Sequence, residues 1–383
     1  MKFKEVYEKW SHKRLTAEEA ADILGMHERT FRRWSCRYEA EGAEGLIDQR
    51  LEKVAHNTAP VDEVMALTSL YETYYRDWNV SHFYERYQQH HQGERGYTWV
   101  KNQLQAEGLV KKAKKRGAHR RKRPRKPMAG MMLHQDGSTH QWVPGVYWDL
   151  IVTMDDANGH ILSAFFVEEE GTWSSLQGVS EVIAEHGLFC SLYVDRGSHY
   201  FHTPKAGGKV DKNTPTQFGR AMAQLGIDLI PAYSPEARGR SERLFGTLQG
   251  RLPQELALHS MTTMDAANQY LKAHFVPAFN QRFGVEPEDS QSAFVPYLGA
   301  PESLKEILCL HYHRQVNKDN TIRFNNLSLQ LPVTAERRHY HKTQVHIHEH
   351  VDGSLSVFHG PRRLADYNSS GDVKTNQPTQ QTA

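Results

Sequence analysis

The sequence has few cysteines and no long apolar run, and both absences limit the class of protein. Its 383 residues include three cysteines, Cys36, Cys190 and Cys309, which lie far apart. This odd and scattered set predicts neither a disulfide framework nor a closed cysteine-rich zinc site. The first residues lack an apolar signal segment, and no run of about eighteen apolar residues occurs. We therefore expect a soluble, cytoplasmic protein without a membrane partner.

The small net charge of +2 conceals an uneven distribution along the chain. Residues 1–130 contain 26 Lys and Arg against 18 Asp and Glu, whereas residues 131–260 contain 9 against 15. This asymmetry predicts an anionic partner at the N-terminal part and a requirement for cations in the middle. With 38% apolar residues, the chain is long enough for several small domains.

A run of basic residues, "KKAKKRGAHRRKRPRK", concentrates the positive charge between Lys111 and Lys126. Because it has almost no apolar residues, it cannot bury itself, and it predicts an extended linker over 111–127. It could serve as a solvated spacer, but its position after helical modules favours a phosphate-binding arm. Its predicted DNA contacts are Lys111, Lys112, Lys114, Lys115, Arg116, Arg120, Arg121 and Arg123.

A helix-turn-helix is predicted within residues 1–50. Thr16 and Glu19 have the spacing of a capping box, and Gly25 fits the turn between the helices. The following helix places Arg29, Arg32 and Arg33 on exposed turns, as a recognition helix requires, although any three-helix bundle could share the pattern. A second helical DNA-binding module is predicted over 51–110.

Residues 128–298 have the pattern of an α/β domain. Two apolar runs flank the Asn158-Gly159 turn and predict part of a three-stranded antiparallel meander. Helix and strand patterns then alternate as far as the segment "AYSPEARGRSERLFGTLQGRL". The resulting order, β-β-β-α-β-α-β-α, belongs to ribonuclease-H-like folds.

Three carboxylates come together on that scaffold. Asp136 falls on the first, central strand, Asp195 at the end of the fourth strand beside it, and Glu242 one turn into the last helix. Phosphodiester chemistry uses acidic ligands around two divalent cations, and oxygen ligands suit Mg²⁺ or Mn²⁺. Asp155 and Asp156 are alternatives to Asp136, but they adjoin a turn, where acids are common for backbone reasons. Arg238, Arg240 and Arg243 are predicted to lie along the DNA backbone beside the metals.

Five segments carry a family resemblance: "LHQDGSTHQW", "TMDDANGHILSAFFVEEEGTWS", "LYVDRGSHYF", "TQFGRAMAQLGIDLIPAYSPEARGRSERLFGTLQGRL" and "FNQRFGVEP". In these segments the chain resembles bacterial insertion-sequence transposases of the DDE, integrase-core superfamily, in particular the group called ISNCY. The resemblance implies that Asp136, Asp195 and Glu242 are the metal-binding triad. It also implies that the enzyme cuts at the ends of its element and joins the freed 3′-hydroxyls to target DNA.

Three local features depart from this pattern or need explanation. The chain between Asp195 and Glu242 is longer than is typical of the superfamily, and the stretch from His202 to Thr214 accounts for most of the excess. Arg196 replaces an Asn that many integrase cores have. Pro253 should break or kink a continuous helix unless the helix ends there.

The remaining residues predict a small β-barrel over 299–366 and a disordered tail over 367–383. The barrel would resemble the C-terminal barrel of such transposases. His346, His348 and His350 share one strand face and could bind a transition metal, but exposed histidines near DNA phosphate are the preferred interpretation.

The sequence as a whole predicts a multidomain α+β DNA transposase. It would bind terminal inverted repeats and target DNA, use two Mg²⁺ or Mn²⁺ ions and work as a homo-oligomer, because two element ends must be joined. We expect it in the bacterial cytoplasm, associated with the nucleoid when on DNA. The alternatives are a catalytically inactive, transposase-derived DNA-binding regulator and a structure-selective nuclease of ribonuclease-H type.

Overall fold

The computed structural model describes residues 2–48, 59–112, 123–205, 208–211, 213–233, 238–333 and 337–374. Contacts divide the chain into two compact units, one of Met1–Tyr74 with Asn102–Leu109 and one of Tyr75–Lys101 with Val110–Ala383. No helix in the described ranges is long and apolar enough to cross a membrane.

The first unit contains the predicted helix-turn-helix. Its helices are α1 (Lys2–Ser11), α2 (Ala17–Leu24), α3 (Glu28–Glu41) and α4 (Val61–Tyr74). The capping box is confirmed, because Thr16 Oγ1 accepts from the Glu19 amide at 3.2 Å and the Thr16 amide donates to Glu19 Oε2 at 2.8 Å. Gly25 ends α2 with a φ of +67°, which favours glycine. Phe31 of α3 is fully buried against Ala20, Ala21 and Val6.

The second unit contains most of the remaining elements. It begins with α5 (Val80–His90), while α6 (Tyr97–Ala106) runs from this unit into the first. The elements that follow are β1 (Met128–Ala129), β2 (Leu133–Val143), β3 (Val146–Asp155), β4 (Ile161–Val167), α7 (Thr172–His186), β5 (Ser191–Val194), α8 (Gln217–Leu225), β6 (Asp228–Pro231), α9 (Gly239–Gln249), α10 (Leu252–Leu258), α11 (Met264–Tyr270), α12 (Val276–Phe283) and β7 (Asp289–Ser292). The C-terminal elements are α13 (Pro301–Ile307), β8 (Leu310–Gln315), β9 (Thr321–Phe324), β10 (Leu327–Gln330), β11 (Gln344–Glu349), β12 (Leu355–His359) and β13 (Arg362–Tyr367).

The central sheet has the strand order β4-β3-β2-β5-β6. Strands β2, β3 and β4 are antiparallel, whereas β5 runs parallel to β2 and β6 runs parallel to β5. The predicted meander and the predicted order β-β-β-α-β-α-β-α are thus both observed. Because side chains alternate along a strand, the sheet has two apolar faces. One packs against α9 to α12 and the other against α7 and α8.

Pro253 marks a helix boundary, as its chemistry requires. Helix α9 ends at Gln249, and α10 begins at Leu252 with Pro253 in its first turn. A proline in the first turn costs little, because the amide at that position has no acceptor within the helix. Glu242 therefore lies in an uninterrupted helix.

The module predicted over 51–110 is not one compact unit, and this corrects the expected boundary. Helix α5 belongs to the second unit. His82 of α5 is 2.6 Å from Glu255 of α10, and Arg86 donates to the other oxygen of Glu255 at 2.5 Å. A buried carboxylate needs such partners, so this contact fixes α5 on the second unit.

The C-terminal strands form an antiparallel sheet of order β13-β12-β11-β8 and a separate β9–β10 hairpin. These strands do not close on one another within the described residues, so the predicted barrel is not confirmed. The expectation that the C-terminal histidines are exposed is wrong for two of them. The side chains of His348 and His350 are 12% and 16% exposed, because Glu306 of α13 packs over them.

The predicted disordered tail begins too early. Tyr367 is fully buried in β13, and its hydroxyl donates to the Gln330 carbonyl at 2.9 Å. It also pairs with Val373 in an antiparallel bridge. Burial of a large aromatic ring therefore extends the ordered chain past 367. Residues 375–383 lie outside the described residues.

Candidate active site

The sheet brings Asp136 and Asp195 to neighbouring positions. Strands β2 and β5 pair in parallel, with Leu133 opposite Leu192 and His134 opposite Tyr193. Continuing this register by two residues places Asp136 level with Asp195, directly after β5. The Asp136 side chain is mostly buried, with 12% of it exposed, whereas that of Asp195 is 38% exposed.

The guanidinium of Arg238 links these two aspartates. Arg238 is the N-cap residue of α9; its Nη2 donates to Asp136 Oδ1, and its Nη1 lies 3.7 Å from Asp195 Oδ2. Burial by itself lowers the pKa of Arg238. The hydrogen bond and charge of Asp136, followed by the charges of Asp195 and Glu242, nevertheless raise it above its ordinary value. The guanidinium is thus paired with Asp136 and Asp195, and Glu242 acts on it only through its charge.

Glu242, the third predicted triad residue, lies in the first turn of α9, and its side chain is exposed. A carboxylate is favourable near a helix N-terminus, since the exposed amides there carry partial positive charge. The three acids do not form one of the tight groups in which three ligand atoms lie within 4.8 Å of one another. The described residues contain two such groups, both among residues 306–350. The donors at the triad are nonetheless all carboxylate oxygens around a single positive group, and hard divalent cations take such donors.

A fourth carboxylate, Glu170, lies at the same site and was missed by the sequence analysis. A Cβ atom added to Gly137 would come within 2.2 Å of Glu170 Oε2, so this carboxylate lies against the residue after Asp136. Glu170 Oε1 is also 3.6 Å from His199 Nε2. Burial raises the pKa of Asp136 against the opposing effect of Arg238, and the charge of Glu170 raises it further. The three consecutive glutamates before α7 were the available signal.

Asp155 and Asp156, the alternatives to Asp136, are fully buried. Asp155 accepts hydrogen bonds from backbone amides, and Asp156 also pairs with cationic side chains. Asp155 accepts from the Gly130 and Ala157 amides, each at 2.7 Å, which is the expected turn role.

Asp156 lies within bonding distance of four groups. It accepts from the Lys126 amide at 2.7 Å, lies 2.7 Å from His134 Nε2, and pairs with Arg123 and Arg240. Burial alone would raise the pKa of Asp156, but these hydrogen bonds hold it well below its ordinary value. Its position in the core and its many partners leave Asp136 as the carboxylate beside Asp195.

The predicted DNA-binding cations fall into three groups. In the first group, Arg29, Arg32 and Arg33 are exposed on α3, and Arg32 pairs with Glu28 at 2.6 Å. Arg243 on α9 and Lys111 and Lys112 are also exposed, whereas Arg123 and Arg240 bind Asp156 and Arg238 binds Asp136. The residues outside the described ranges are Lys114, Lys115, Arg116, Arg120 and Arg121.

Arg196, which follows Asp195, contacts the insertion. Its Nη1 donates to the Gly208 carbonyl at 2.8 Å, and its guanidinium lies 5.3 Å from the centroid of the Tyr233 ring. Within the insertion, His202 and Asp211 form an antiparallel bridge. The arginine that replaces the expected Asn therefore anchors the extra residues beside the site.

Comparisons with known proteins agree with this architecture. Residues 9–47 match the family of homeodomain-like domains, which coincides with the helix-turn-helix. The chain is 28% identical over 358 residues to the transposase y4bF of Sinorhizobium fredii (strain NBRC 101917 / NGR234), covering 92% of this chain and 77% of that protein. It is 32% identical over 235 residues to the transposase for insertion sequence IS1202 of Streptococcus pneumoniae, covering 61% of this chain and 50% of that protein. The resemblance to insertion-sequence transposases is confirmed.

Solved structures give weaker matches to the transposase-like chain. An intasome of simian T-cell lymphotropic virus, in complex with a PP2A regulatory subunit, is 16% identical with a TM-score of 0.35, covering 69% of this chain and 85% of that one. The HTLV-2 integrase catalytic core domain in complex with magnesium is 14% identical with a TM-score of 0.32, covering 43% and 97%. At such TM-scores these likenesses establish neither fold nor function.

Proposed function

We propose that the protein is a DNA transposase that cuts the 3′ ends of its element and joins them to target DNA. The observation that carries this proposal is the pairing of the Arg238 guanidinium with both Asp136 and Asp195, with Glu242 in the first turn of the same helix. Acids from separate parts of the chain converge on one arginine here, and surface solvation alone does not require this arrangement. Similarity to two transposases along most of the chain supports the same function.

Asp136, Asp195 and Glu242 would hold two Mg²⁺ or Mn²⁺ ions, since all their donors are carboxylate oxygens. Bound there, the ions would activate the attacking oxygen and stabilise the leaving oxygen. In this proposal Arg238 neutralises the aspartates when no other cation is present and donates to a DNA phosphate otherwise. Catalysis then depends on positioning and charge stabilisation, without a covalent protein nucleophile.

DNA binding is assigned in this proposal to residues 1–50, the helices that follow, and the basic stretch 111–127. Exposed arginines on α3 would read the terminal inverted repeats, and the basic residues would contact phosphates. Residues 128–298 would form the catalytic domain and residues 299–366 a C-terminal domain. Two element ends must be held together for joining, so we propose that the protein acts as a homo-oligomer on DNA.

The test is a cleavage and joining assay with labelled DNA that carries the repeats flanking the gene, in Mg²⁺ or Mn²⁺. The variants are Asp136→Asn, Asp195→Asn and Glu242→Gln, with Glu185→Gln as the matched control because Glu185 is exposed on α7, away from the site. We expect nicks at the 3′ ends and joined products with wild type and the control. The three triad variants should bind the repeats with unchanged affinity and give no products.

Other outcomes separate the alternatives. Specific binding of the repeats without cleavage by wild type would favour a DNA-binding regulator. Cleavage of junction DNA in preference to repeat DNA would favour a structure-selective nuclease. Full activity of any one triad variant would remove that residue from the metal site.

A further inference from the structure

A second group of metal-ligand residues lies far from the triad in sequence, where α13 meets the C-terminal sheet. Cys309 is between α13 and β8 and has no exposed surface. His311 of β8 is directly opposite His348 of β11 in the antiparallel register. Their imidazole rings are stacked with centroids 3.8 Å apart and planes 6° from parallel. Residues directly opposite each other on paired strands have neighbouring side chains, so the strand pairing itself brings the two rings together.

The side chains form two overlapping groups of potential ligands. One consists of Cys309, His311 and His348, and the other of Glu306, Cys309 and His350; within each group the ligand atoms lie within 4.8 Å of one another. Cys309 belongs to both groups, so the two groups together form one cluster of five side chains around its sulfur. A thiolate sulfur with imidazole nitrogens is the donor set of zinc sites, whereas Mg²⁺ prefers oxygens.

Glu306 occupies the position of a carboxylate that orients metal-binding histidines. Its Oε2 is 2.5 Å from His348 Nδ1, and its Oε1 is 3.6 Å from His350 Nε2. The Glu306 backbone carbonyl lies 2.8 Å from His311 Nε2. A histidine that donates one ring N–H to oxygen presents its other nitrogen to a metal, and such partners fix the orientation of the ring.

Metal binding at this group requires the Cys309 thiol to lose its proton. The thiol donates that proton to the Glu306 carbonyl at 3.1 Å. Binding an ion would therefore break the S–H bond, form a sulfur–metal bond and release one proton to solvent.

Helix α8 is hydrogen-bonded to the backbone of the group, and a cavity adjoins two of its side chains. Gln217 of α8 accepts from the His311 amide at 3.0 Å and donates to the His311 carbonyl at 2.7 Å. Arg220 of α8 donates to the Cys309 carbonyl at 2.5 Å. Glu306 and His350 also line a cavity of about 550 Å³ through which an ion can enter.

We propose that Cys309, His311 and His348, together with His350 or Glu306, bind one Zn²⁺ ion that fixes strands β8 and β11 to the segment after α13. The site would be structural and separate from the Mg²⁺ or Mn²⁺ site proposed at Asp136. His346, the remaining histidine of the predicted strand face, is not part of it. Its ring meets His313 instead, with centroids 4.4 Å apart.

The test uses the full-length chain, stripped of metal with a chelator, and Co²⁺ as the probe. Tetrahedral Co²⁺ bound to a thiolate has charge-transfer absorption that a carboxylate site does not produce. We expect one equivalent of Co²⁺ to give this absorption, Zn²⁺ to abolish it and excess Mg²⁺ to leave it unchanged. Thermal unfolding should shift to higher temperature on addition of Zn²⁺, because the ion binds only the folded state.

Matched variants connect the signal to the proposed ligands. Cys309→Ser should lose the thiolate absorption, while Cys190→Ser should keep it because Cys190 is exposed elsewhere. His348→Gln should weaken Zn²⁺ binding by at least tenfold, and Glu306→Gln by about 10- to 100-fold. His346→Gln, on the same strand face, should bind as wild type does.

The results that would overturn the proposal are equally specific. Folded wild-type protein without thiolate absorption would show that the cluster is a hydrogen-bonded network and not a metal site. Absorption retained in Cys309→Ser would assign the signal to another cysteine. If Cys309→Ser does not fold, X-ray absorption of the zinc-loaded wild type decides, since a spectrum without a sulfur ligand contradicts the proposal.

Discussion

The guanidinium of Arg238 is hydrogen-bonded to the carboxylate of Asp136, and the same guanidinium reaches to 3.7 Å from Asp195. An arginine in this position compensates two carboxylates, one within β2 and one directly after the neighbouring β5, that would otherwise repel one another. It also competes with any other cation for the same oxygens. The strength of metal binding at the triad should therefore depend on Arg238.

Replacing Arg238 with Ala should lower the free energy of unfolding of the metal-free protein. It should also increase the rise in melting temperature that metal ions produce. Because the Arg238 side chain is 31% exposed, we expect a small loss of about 1 kcal/mol in the absence of metal. The rise in melting temperature on addition of Mn²⁺ should exceed that of wild type, since the competing cation is gone. Thermal unfolding with and without Mn²⁺ measures both effects.

Arg243→Ala is the matched control, because Arg243 lies exposed on the same helix. It should respond to Mn²⁺ as wild type does. A smaller Mn²⁺ response in Arg238→Ala than in wild type would mean that Arg238 assists metal binding rather than competing with it.

Asp156 should matter for stability, whereas Asp136 should matter for activity. Asp156→Asn removes a fully buried charge and leaves Arg240 and Arg123 without their partner, so we expect a loss of about 3 kcal/mol or more. Asp136 is a carboxylate whose pKa burial raises, so its neutralisation by Asp136→Asn should cost less. Urea unfolding of the two variants at pH 7 compares these costs. Equal losses of stability would contradict the assignment of a structural role to Asp156 and a functional role to Asp136.

The pair of Glu255 with His82 and Arg86 predicts a pH dependence of stability. Burial alone would raise the pKa of Glu255, but the hydrogen bonds from His82 and Arg86 lower it to about 2 from an ordinary value of 4.5. A carboxyl group whose pKa is lower in the folded than in the unfolded state stabilises the folded protein at pH values above the unfolded-state pKa. This contribution, about 3 kcal/mol for such a shift, is lost as pH falls from about 4.5 towards 2.

Glu255→Gln should thus be less stable than wild type at pH 7, and the difference should shrink as the pH falls below 4.5. Urea unfolding at a series of pH values measures it, with Glu288→Gln as a control because Glu288 is exposed. A difference independent of pH between 7 and 3 would show that the charge of Glu255 is not what fixes α5.

Local patterns were sufficient to predict most elements of the fold. The capping box at Thr16, the turn at Asn158-Gly159 and the break at Pro253 are each determined by a few neighbouring residues. The nearness of Asp136 and Asp195 followed from strand order, because β2 and β5 are parallel neighbours and their register places Asp136 level with the residue after β5.

Contacts between residues distant in sequence could not be predicted in this way. Arg123 and Arg240 were expected on DNA phosphate, yet both bind Asp156, which is 33 and 84 residues away along the chain. The position of Glu170 beside Gly137 and the pairing of α5 with Glu255 have the same origin. A sequence shows a charge but not the partner that the fold brings to it.

The exposed arginines of α3 predict a salt-dependent loss of DNA affinity. Each phosphate contact changes the slope of the logarithm of the binding constant against the logarithm of salt concentration by about 0.9. Arg29→Ala and Arg33→Ala should each weaken binding to the inverted repeat. A variant that also flattens the slope by about 0.9 has lost a phosphate contact, whereas one that weakens repeat DNA more than random DNA has lost a base contact. Fluorescence anisotropy across salt concentrations measures both quantities. Lys272→Ala, which removes an exposed charge outside the residues assigned to DNA binding, should change neither, and an equal effect from it would reduce the role of α3 to general charge attraction.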